Sequence, residues 1–549
     1  MFIRTKRRGD KTYLQIVENH RDGKKVVQTV RATLGRLDVL QQSDQLDSLL
    51  RSGLRFSQKL LILDAHEKGK CTQTSTKRTG AVLLFEKIWR ECNIDTVLKT
   101  YLQKRRFTFP IERVIFATVL SRLINPGSDR ATLRWVDRYA ISGMEKIKLQ
   151  HCYRAMGWLG EPVKGELKRK FGKNSVEVYR KDIIEETLFS LRHDLFTQME
   201  IVFFDTTSLY FEGDGGESIG QRGNSKDHRP DLKQMVAGVV LDDKGNPICS
   251  ELLPGNTADV KTLIPVARRL KERFGVSTVC IVADRGMVSK DTITDLESLG
   301  WQYILGARMR RVKEVSDEVL TKGGRYKQVN PPRKVSTDPA PLKVKQVIIN
   351  DKRYIICHNE DEARKDRNTR ETITSSLQRQ LKKGDKSLVG NKGFRRYLKS
   401  KGGAFEIDKE KVDYEKRFDG KYVLITNTQI SSEDVALKYK QLWMVEAIFR
   451  TMKSTLETRP IFHHCDDTIR GHVFCSYLAL LLRKKLQDRL EEKNYSFEWE
   501  HIIQDIDQIE EVNVIHNNKK FVIRTEASGV AGKVFQALGV ALPPVLRTV

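Results

Sequence analysis

Ile201–Tyr210 reads IVFFDTTSLY: four apolar residues, an aspartate, small hydroxyl residues and two more large side chains. A short apolar run of this kind is a buried strand, and Asp205 follows its apolar part, Ile201–Phe204, directly. Gln234–Leu241 (QMVAGVVL) and Pro247–Leu253 read as two further strands. Val260–Phe274 has helical period, with Leu263, Ile264, Ala267 and Leu270 on one face. A buried-type strand at Thr278–Ala283 (TVCIVA), a helix near Asp291–Leu299 and a strand at Trp301–Leu305 come next. Three strands before the first helix predict an antiparallel meander. The strand–helix alternation after it predicts a parallel part of the same α/β sheet.

Outward from this core part, 197–307, the chain changes character in both directions. Residues 308–425 are polar and basic and read as a β-rich insertion, with strands at Leu342–Ile349 and Arg353–His358 and a helix near Thr372–Lys383. Tyr422–Thr426 (YVLIT) is another strand, and Ser432–Thr455 reads as one strong helix that returns to the core, whose second part is 426–490. Residues 491–549 form a C-terminal appendix, a candidate for dimerisation. Upstream, 80–196 is helical: Ala81, Leu84, Phe85 and Ile88 recur with helical spacing, as do Ile111, Val114, Ile115 and Thr118. Lys104, Arg105, Arg106, Arg130, Arg134 and Arg138 cluster there, which makes it the place to look for a DNA-reading module; a bundle with solvated charges explains them as well. Residues 1–70 read as a small β-element (Thr12–Val17, Lys25–Val30) followed by a leucine-rich helical piece near Gln41–Leu63, and Lys68–Arg78 reads as a linker.

The 549 residues correspond to roughly three or four domains at ~150 residues each. Lys and Arg (98) exceed Asp and Glu (71) by 27, a surplus that predicts an anionic partner, nucleic acid first. At 39% hydrophobic residues the chain can bury cores. The longest apolar run, Val473–Leu482, is about half of the ~20 residues that span a bilayer, and no apolar stretch follows the basic Met1–Asp10, so neither a membrane partner nor a secretory signal is expected. Eight cysteines without a CxxC pair read as reduced thiols. These readings exclude secreted, membrane-spanning and disulfide-framework classes and predict a cytoplasmic, nucleoid-associated protein.

Three carboxylates stand out. Asp205 and Asp284 each follow an apolar strand, where a charge needs a partner or a metal and where ligands gather in α/β sheets; each alone also reads as an Asx-turn cap. Glu446 lies on the predicted 432–455 helix, where Tyr439, Glu446 and Lys453, seven apart, fall within about 20° of one another. Arg450 shares their stripe, while Val445, Phe449 and Met452 are free to face the core. A Glu446–Arg450 surface pair accounts for two of these residues. Acids on two strands and a helix are also what a two-metal phosphoryl-transfer site needs, with basic neighbours to hold the phosphate backbone. Two further clusters read mainly as structural. Asp227, His228, Arg229 and Asp231 suit a solvated hairpin, with phosphate contact as the alternative. His463, His464, Cys465 and His472 lack zinc spacing and suit capping or core packing.

These blocks resemble the DDE transposases of bacterial insertion sequences, in the subgroup marked by Tyr-x2-Arg-x3-Glu-x6-Lys. The signature is present as Tyr439, Glu446 and Lys453, with Leu442 in the arginine position; Phe204-Asp205-Thr-Thr-Ser and Val282-Ala283-Asp284-Arg-Gly-Met carry the strand-borne part. The resemblance covers roughly residues 80–490. It implies an RNase H-like mixed-sheet core, with Asp205, Asp284 and Glu446 as catalytic ligands of two Mg²⁺ ions, for which Mn²⁺ substitutes. It also implies DNA contacts from Tyr439 and Lys453, and from an insertion whose basic Arg308, Arg310, Arg311 and Lys313 fit that task; Arg450 is a candidate replacement for the missing arginine. The implied activity is cutting of transposon inverted-repeat ends and joining of the 3′-hydroxyl to target DNA, in a synaptic homodimer. A DNA-binding regulator without chemistry and an RNase H-like nuclease without strand joining remain alternatives on the residues alone.

Overall fold

The structure is a computed structural model that describes all residues except 23–24, 55–56, 58–64, 66–67, 70–71, 104, 164–168, 172–173, 193–199, 276–278, 336–337, 384–394, 402–403, 517–518 and 549. Lys104 and part of the predicted 41–63 helical piece lie outside the described residues. The chain divides into two compact units, Met1–Ala81 with Arg138–Ala140 and Phe497–Val549, and Val82–Asp137 with Ile141–Ser496.

In the first unit, β1 (Phe2–Arg8), β2 (Lys11–Asp22) and β3 (Lys25–Arg36) form an antiparallel meander. The helices Leu37–Gln42 and Gln45–Leu54 follow. The expected linker is in part a strand: β4 (Thr72–Arg78) pairs antiparallel with Glu510–His516. TQTSTKR carries three threonines suited to a strand, but its partner lies more than 400 residues away, so no local pattern announces the pairing.

The second unit opens with the helices Gly80–Glu91, Ile94–Leu102, Ile111–Ile124, Asp129–Val136 and Leu149–Gly160. The short β5 (Arg169–Phe171) and β6 (Asn174–Val176) and the helix Arg180–Arg192 complete this part. Ile111–Ile124 is buried on every side and packs with Leu149–Gly160 and the long helix Asp466–Glu491. The last two cross backbone to backbone at two glycines. A Cβ on Gly471 would stand 1.9 Å from the Met156 carbonyl oxygen, and one on Gly160 would stand 2.0 Å from that of Asp467. Gly471→Ala should therefore lower stability by about 2–3 kcal/mol in denaturant melts. Gly532→Ala, at a helical position with open space around it, should leave it unchanged or slightly higher.

The core sheet begins with β7 (Ile201–Tyr210), β8 (Gln234–Leu241) and β9 (Pro247–Pro254), an antiparallel meander as expected. The helix Leu263–Phe274 leads to β10 (Cys280–Ala283), and Lys290–Ser298 leads to β11 (Gln302–Gly306). β10 runs parallel to both β7 and β11. Numbered along the chain, these five strands lie in the order 3-2-1-4-5, the arrangement of an RNase H-like core. One layer of its interior is built from Val202, Phe204, Val240, Ile281, Ala283 and Leu305, with Leu263, Val266 and Leu270 of the first crossover helix packed on it.

The predicted insertion joins this sheet. β12 (Lys327–Asn330), β13 (Leu342–Ile349) and β14 (Lys352–His358) continue it through β17 (Lys421–Thr426), which pairs antiparallel with β11, to nine strands in all. The expected helix is Glu360–Leu381, starting twelve residues earlier than its sequence suggests, and a second, Lys409–Lys416, is not among the expected elements. Asn359 caps Glu360–Leu381 by accepting from the Asp361 and Glu362 amides, and its first half is charged rather than apolar, so it shows no hydrophobic period. The hairpin β15 (Leu398–Lys401) and β16 (Ala404–Ile407) packs on that helix. The first unit is completed by β18 (Glu510–His516), β19 (Lys519–Arg524) and β20 (Leu546–Thr548), which with β4 make a four-stranded sheet.

The expected single helix over 432–455 is broken. Ser432–Lys440 ends at a turn through Gln441 and Leu442, Trp443–Arg450 restarts, and Thr451–Thr455 is wound as a π-turn. Leu442 is buried at the break, and the Leu442 amide donates to the Tyr439 carbonyl at 3.1 Å, a tightened turn that resets the helical phase. The stripe of Tyr439, Glu446, Arg450 and Lys453 drawn on a continuous helix is therefore not one surface. Val445, Phe449 and Met452 do face the core.

Candidate active site

β7 and β10 pair in register with Phe204 opposite Ala283, so Asp205 and Asp284 come next on neighbouring parallel strands, which run about 4.8 Å apart. Asp205 does not sit at the end of its strand, as its sequence suggests. β7 continues to Tyr210, and it is β10 that stops, turning away at Arg285–Met287. Among Ile201–Leu209, Asp205 is the single position not fully buried. Its Oδ1 accepts from the Thr206 amide at 2.7 Å. Burial pushes its carboxyl up to about 6; Lys226 opposes that rise, and the negative charges of Asp284 and Asp259 add to it. Like charges beside a partly dehydrated carboxylate disfavour its charged form, which is the case of Asp205.

Asp284 Oδ1 accepts from the Tyr439 hydroxyl at 2.9 Å. Burial, then the charge of Asp284, push the Tyr439 phenol well above its ordinary range, so it is a donor at any working pH. Gly306 makes room for this bond: a Cβ there would lie 2.5 Å from the Tyr439 oxygen and 2.9 Å from the Arg285 amide nitrogen.

Sequence reading missed two charged members of the site. Asp259 opens a short 3-10 turn after Gly255-Asn256-Thr257-Ala258. Its Oδ1 accepts from the Thr206 hydroxyl at 2.9 Å, and its Oδ2 is 3.3 Å from Lys226 Nζ. Lys226 also donates to the Thr206 carbonyl at 2.7 Å. A Cβ on Gly286 would fall 3.7 Å from Asp259 Oδ2 and 3.9 Å from Asp284 Oδ2, so both carboxylates border one small space. A polar turn leaving a strand was the only sequence signal, and nothing in it says that the turn folds back onto β7.

Glu446 is exposed on the helix Trp443–Arg450, which packs against β7 and β8. The structure thus places the third acid on an element beside the Asp205 strand, without closing a cluster: among the described residues no three His, Cys, Asp or Glu side chains are arranged to hold a metal ion. Arg450 is exposed. Lys453 turns inward to Asp227, 2.8 Å away.

The basic run after β11 divides by role. Arg308 is spent on the carbonyls of Arg285 (2.9 Å) and Gly286 (2.8 Å), tying the β11 exit to the Asp284 turn. Arg310 pairs with Glu415 at 2.9 Å and lies over the Phe418 ring. Arg311 and Lys313 are exposed. Arg285, Arg308, Arg310 and Arg311 line an open cleft of about 390 Å³ next to Asp284. In the hairpin between β7 and β8, Arg229 and Asp231 pair with each other at the surface (2.8 Å), whereas Asp227 is buried. His463 and His472 form a buried polar network with Arg122, the Thr458 carbonyl and Asp129. Burial holds both imidazoles below their usual range.

The donor set of the notch is hard oxygen throughout, which suits Mg²⁺ or Mn²⁺. A divalent ion between Asp205 and Asp284 would also neutralise the repulsion that helps raise the Asp205 carboxyl. The carboxylates of Asp205 and Asp284 fit such an ion, although no third acid among the described residues converges on them.

The chain matches the IS1634 family transposase N-terminal domain over residues 3–67, and no curated relative matches it. Among solved structures it is similar to a piggyBac transposase synaptic complex with hairpin DNA, at 10% identity and TM-score 0.39, covering 78% of this chain and 76% of that one. It is also similar to a Mos1 transposase paired-end complex with the left transposon end, at 15% identity and TM-score 0.14, covering 36% of this chain and 60% of that one. Such distant likenesses align no individual residues. The match that spans the notch is the Transposase DDE domain, over residues 196–482, and the chain belongs to that transposase family.

Proposed function

We propose that this transposase cuts the inverted-repeat ends of an insertion sequence and joins the freed 3′-hydroxyl to target DNA, with Asp205, Asp284 and Glu446 as the catalytic carboxylates. The observation that carries the reading is the side-by-side placement of Asp205 and Asp284 in a notch of the family's own domain. Asp205, Asp284 and Glu446 would hold two Mg²⁺ ions, or Mn²⁺, which supply charge to activate the nucleophile and steady the leaving oxygen. Tyr439 fixes the orientation of Asp284 by its hydroxyl. Thr206 and Lys226 brace Asp259 against the Asp205 strand. Arg450, Arg311 and Lys313 are exposed and offer cations to the DNA backbone, and the guanidinium-lined cleft beside Asp284 continues that surface. The helix Asp129–Val136 exposes Arg130 and Arg134 and is a candidate DNA-reading element. A homodimer pairing two transposon ends is the assembly this reading requires. Among the described residues no helix is long and apolar enough to cross a membrane.

The test is incubation of the full chain with end-bearing DNA and a target plasmid, with and without Mg²⁺. Joined products that need Mg²⁺ are expected, with end binding that weakens steeply as salt rises. Cutting without joining would instead favour a nuclease, and salt-sensitive binding without cutting a regulator.

A further inference from the structure

Asp227 is a buried acid that the site as described does not use. Its side chain is 7% exposed, a costly place for a lone carboxylate. Two cations from the segment following Glu446 compensate it. Lys453 Nζ lies 2.8 Å from Oδ1, and Arg459 Nε lies 3.3 Å from Oδ2. Arg459 is in turn held over the ring of Tyr210, the last residue of β7, at 5.3 Å. The loop bearing Asp227 is itself fixed to β7, because Ser208 accepts from the Lys226 amide at 2.8 Å, and it is braced internally, where Ser225 accepts from the Arg229 amide at 3.1 Å. One loop therefore faces two ways, with Lys226 toward Asp259 and Asp227 toward Lys453.

We propose that Asp227 is a positioning residue for the transposase reaction: it holds the Lys453 ammonium in place against the loop that is fixed to the Asp205 strand. This rests on the function proposed above. An ammonium has three donors, and Asp227 accepts one of them at Lys453, which leaves the other donors for a phosphate oxygen. Lys453 would then touch DNA, and Asp227 would act through it. This partner favours the charged form of Lys453. Burial pulls its pKa down, Asp227 raises it, and Arg459 and Lys226 lower it further.

The test compares Asp227→Asn, Asp227→Glu, Lys453→Arg and Lys453→Met with the unaltered chain in Mg²⁺-dependent end cleavage at saturating DNA. Asp227→Asn should slow cleavage about 10- to 100-fold while end binding changes less than about threefold. Its pH–rate profile should gain an alkaline limb at lower pH than in the unaltered chain, because Lys453 loses the counter-charge of Asp227. Asp227→Glu should recover most of the rate, and Lys453→Arg should lose the limb, since a guanidinium does not titrate there. Adding Asp227→Asn to Lys453→Met should slow cleavage no further. An Asp227→Asn rate within twofold of the unaltered chain, or losses that multiply in the double variant, would overturn the proposal while leaving the function intact. An unaltered chain that cuts nothing would overturn the function, and the positioning role with it. Circular dichroism checks folding at the assay temperature. If Asp227→Asn is unfolded there, Lys453→Arg decides alone: a persisting alkaline limb overturns the proposal.

Discussion

Asp205→Asn should abolish metal-dependent DNA cleavage, by about a thousandfold or more, and in metal-free buffer it should raise the melting temperature. Both outcomes follow from one environment. The carboxyl of Asp205 is pushed up to about 6, chiefly by burial, whereas an unfolded chain returns it to about 3.9. Between these values the native state holds the proton that the unfolded state has released. Stability therefore falls as pH rises through that window and stays lower above it. Asparagine removes the titration, so the gain should be about 3 kcal/mol at neutral pH and should vanish below about pH 4. Melts at several pH values, without metal, check this. Asp284→Asn and Glu446→Gln should lose cleavage to a similar degree with end binding retained. Full activity in any of the three variants would remove that residue from the catalytic set. A purely structural Asp205 would make the asparagine variant less stable, not more.

Arg273→Met should destabilise the fold by about 3–5 kcal/mol. Arg273 is 4% exposed at the end of the helix Leu263–Phe274. Its guanidinium meets Glu185 at 2.9 Å and Glu186 at 2.8 Å, with Glu251 at 3.5 Å and Asp182 at 3.7 Å. Lys181 and Arg269 are the network's other cations, paired with Asp182 at 2.8 Å and Glu251 at 2.7 Å. Removing Arg273 takes a shared cation from Asp182, Glu185, Glu186 and Glu251 in a dehydrated site, and burial already pushes Glu185 up. Denaturant melts should show a large fall in midpoint. The variant should regain part of the loss as pH drops toward the carboxylate range, because protonation relieves the unpaired charge. Cleavage per folded molecule should be unchanged, since none of these residues belongs to the notch.

Strand patterning and the two short acid-bearing blocks carried most of the core. IVFFDTTSLY, QMVAGVVL and TVCIVA are apolar enough to be buried strands wherever they lie in the chain, and the helices between them leave few ways to join them. Arg308 and Lys453 show what such patterns omit. Both are cations in a basic protein and look free in sequence, yet one holds two backbone carbonyls and the other a buried aspartate.

By itself the sequence determined the α/β core and the meander followed by parallel strands, because strand period and apolar content are local properties; that Asp205 and Asp284 stand side by side came from the register of β7 with β10. Only the tertiary structure decided that β10 stops beside Asp205, that Asp259 and Lys226 join the notch, and that the Tyr439–Lys453 stretch breaks at Leu442. Those facts depend on which distant groups a charge or a buried leucine meets. Desolvation sets the terms of each encounter, and it exists only once the chain has packed.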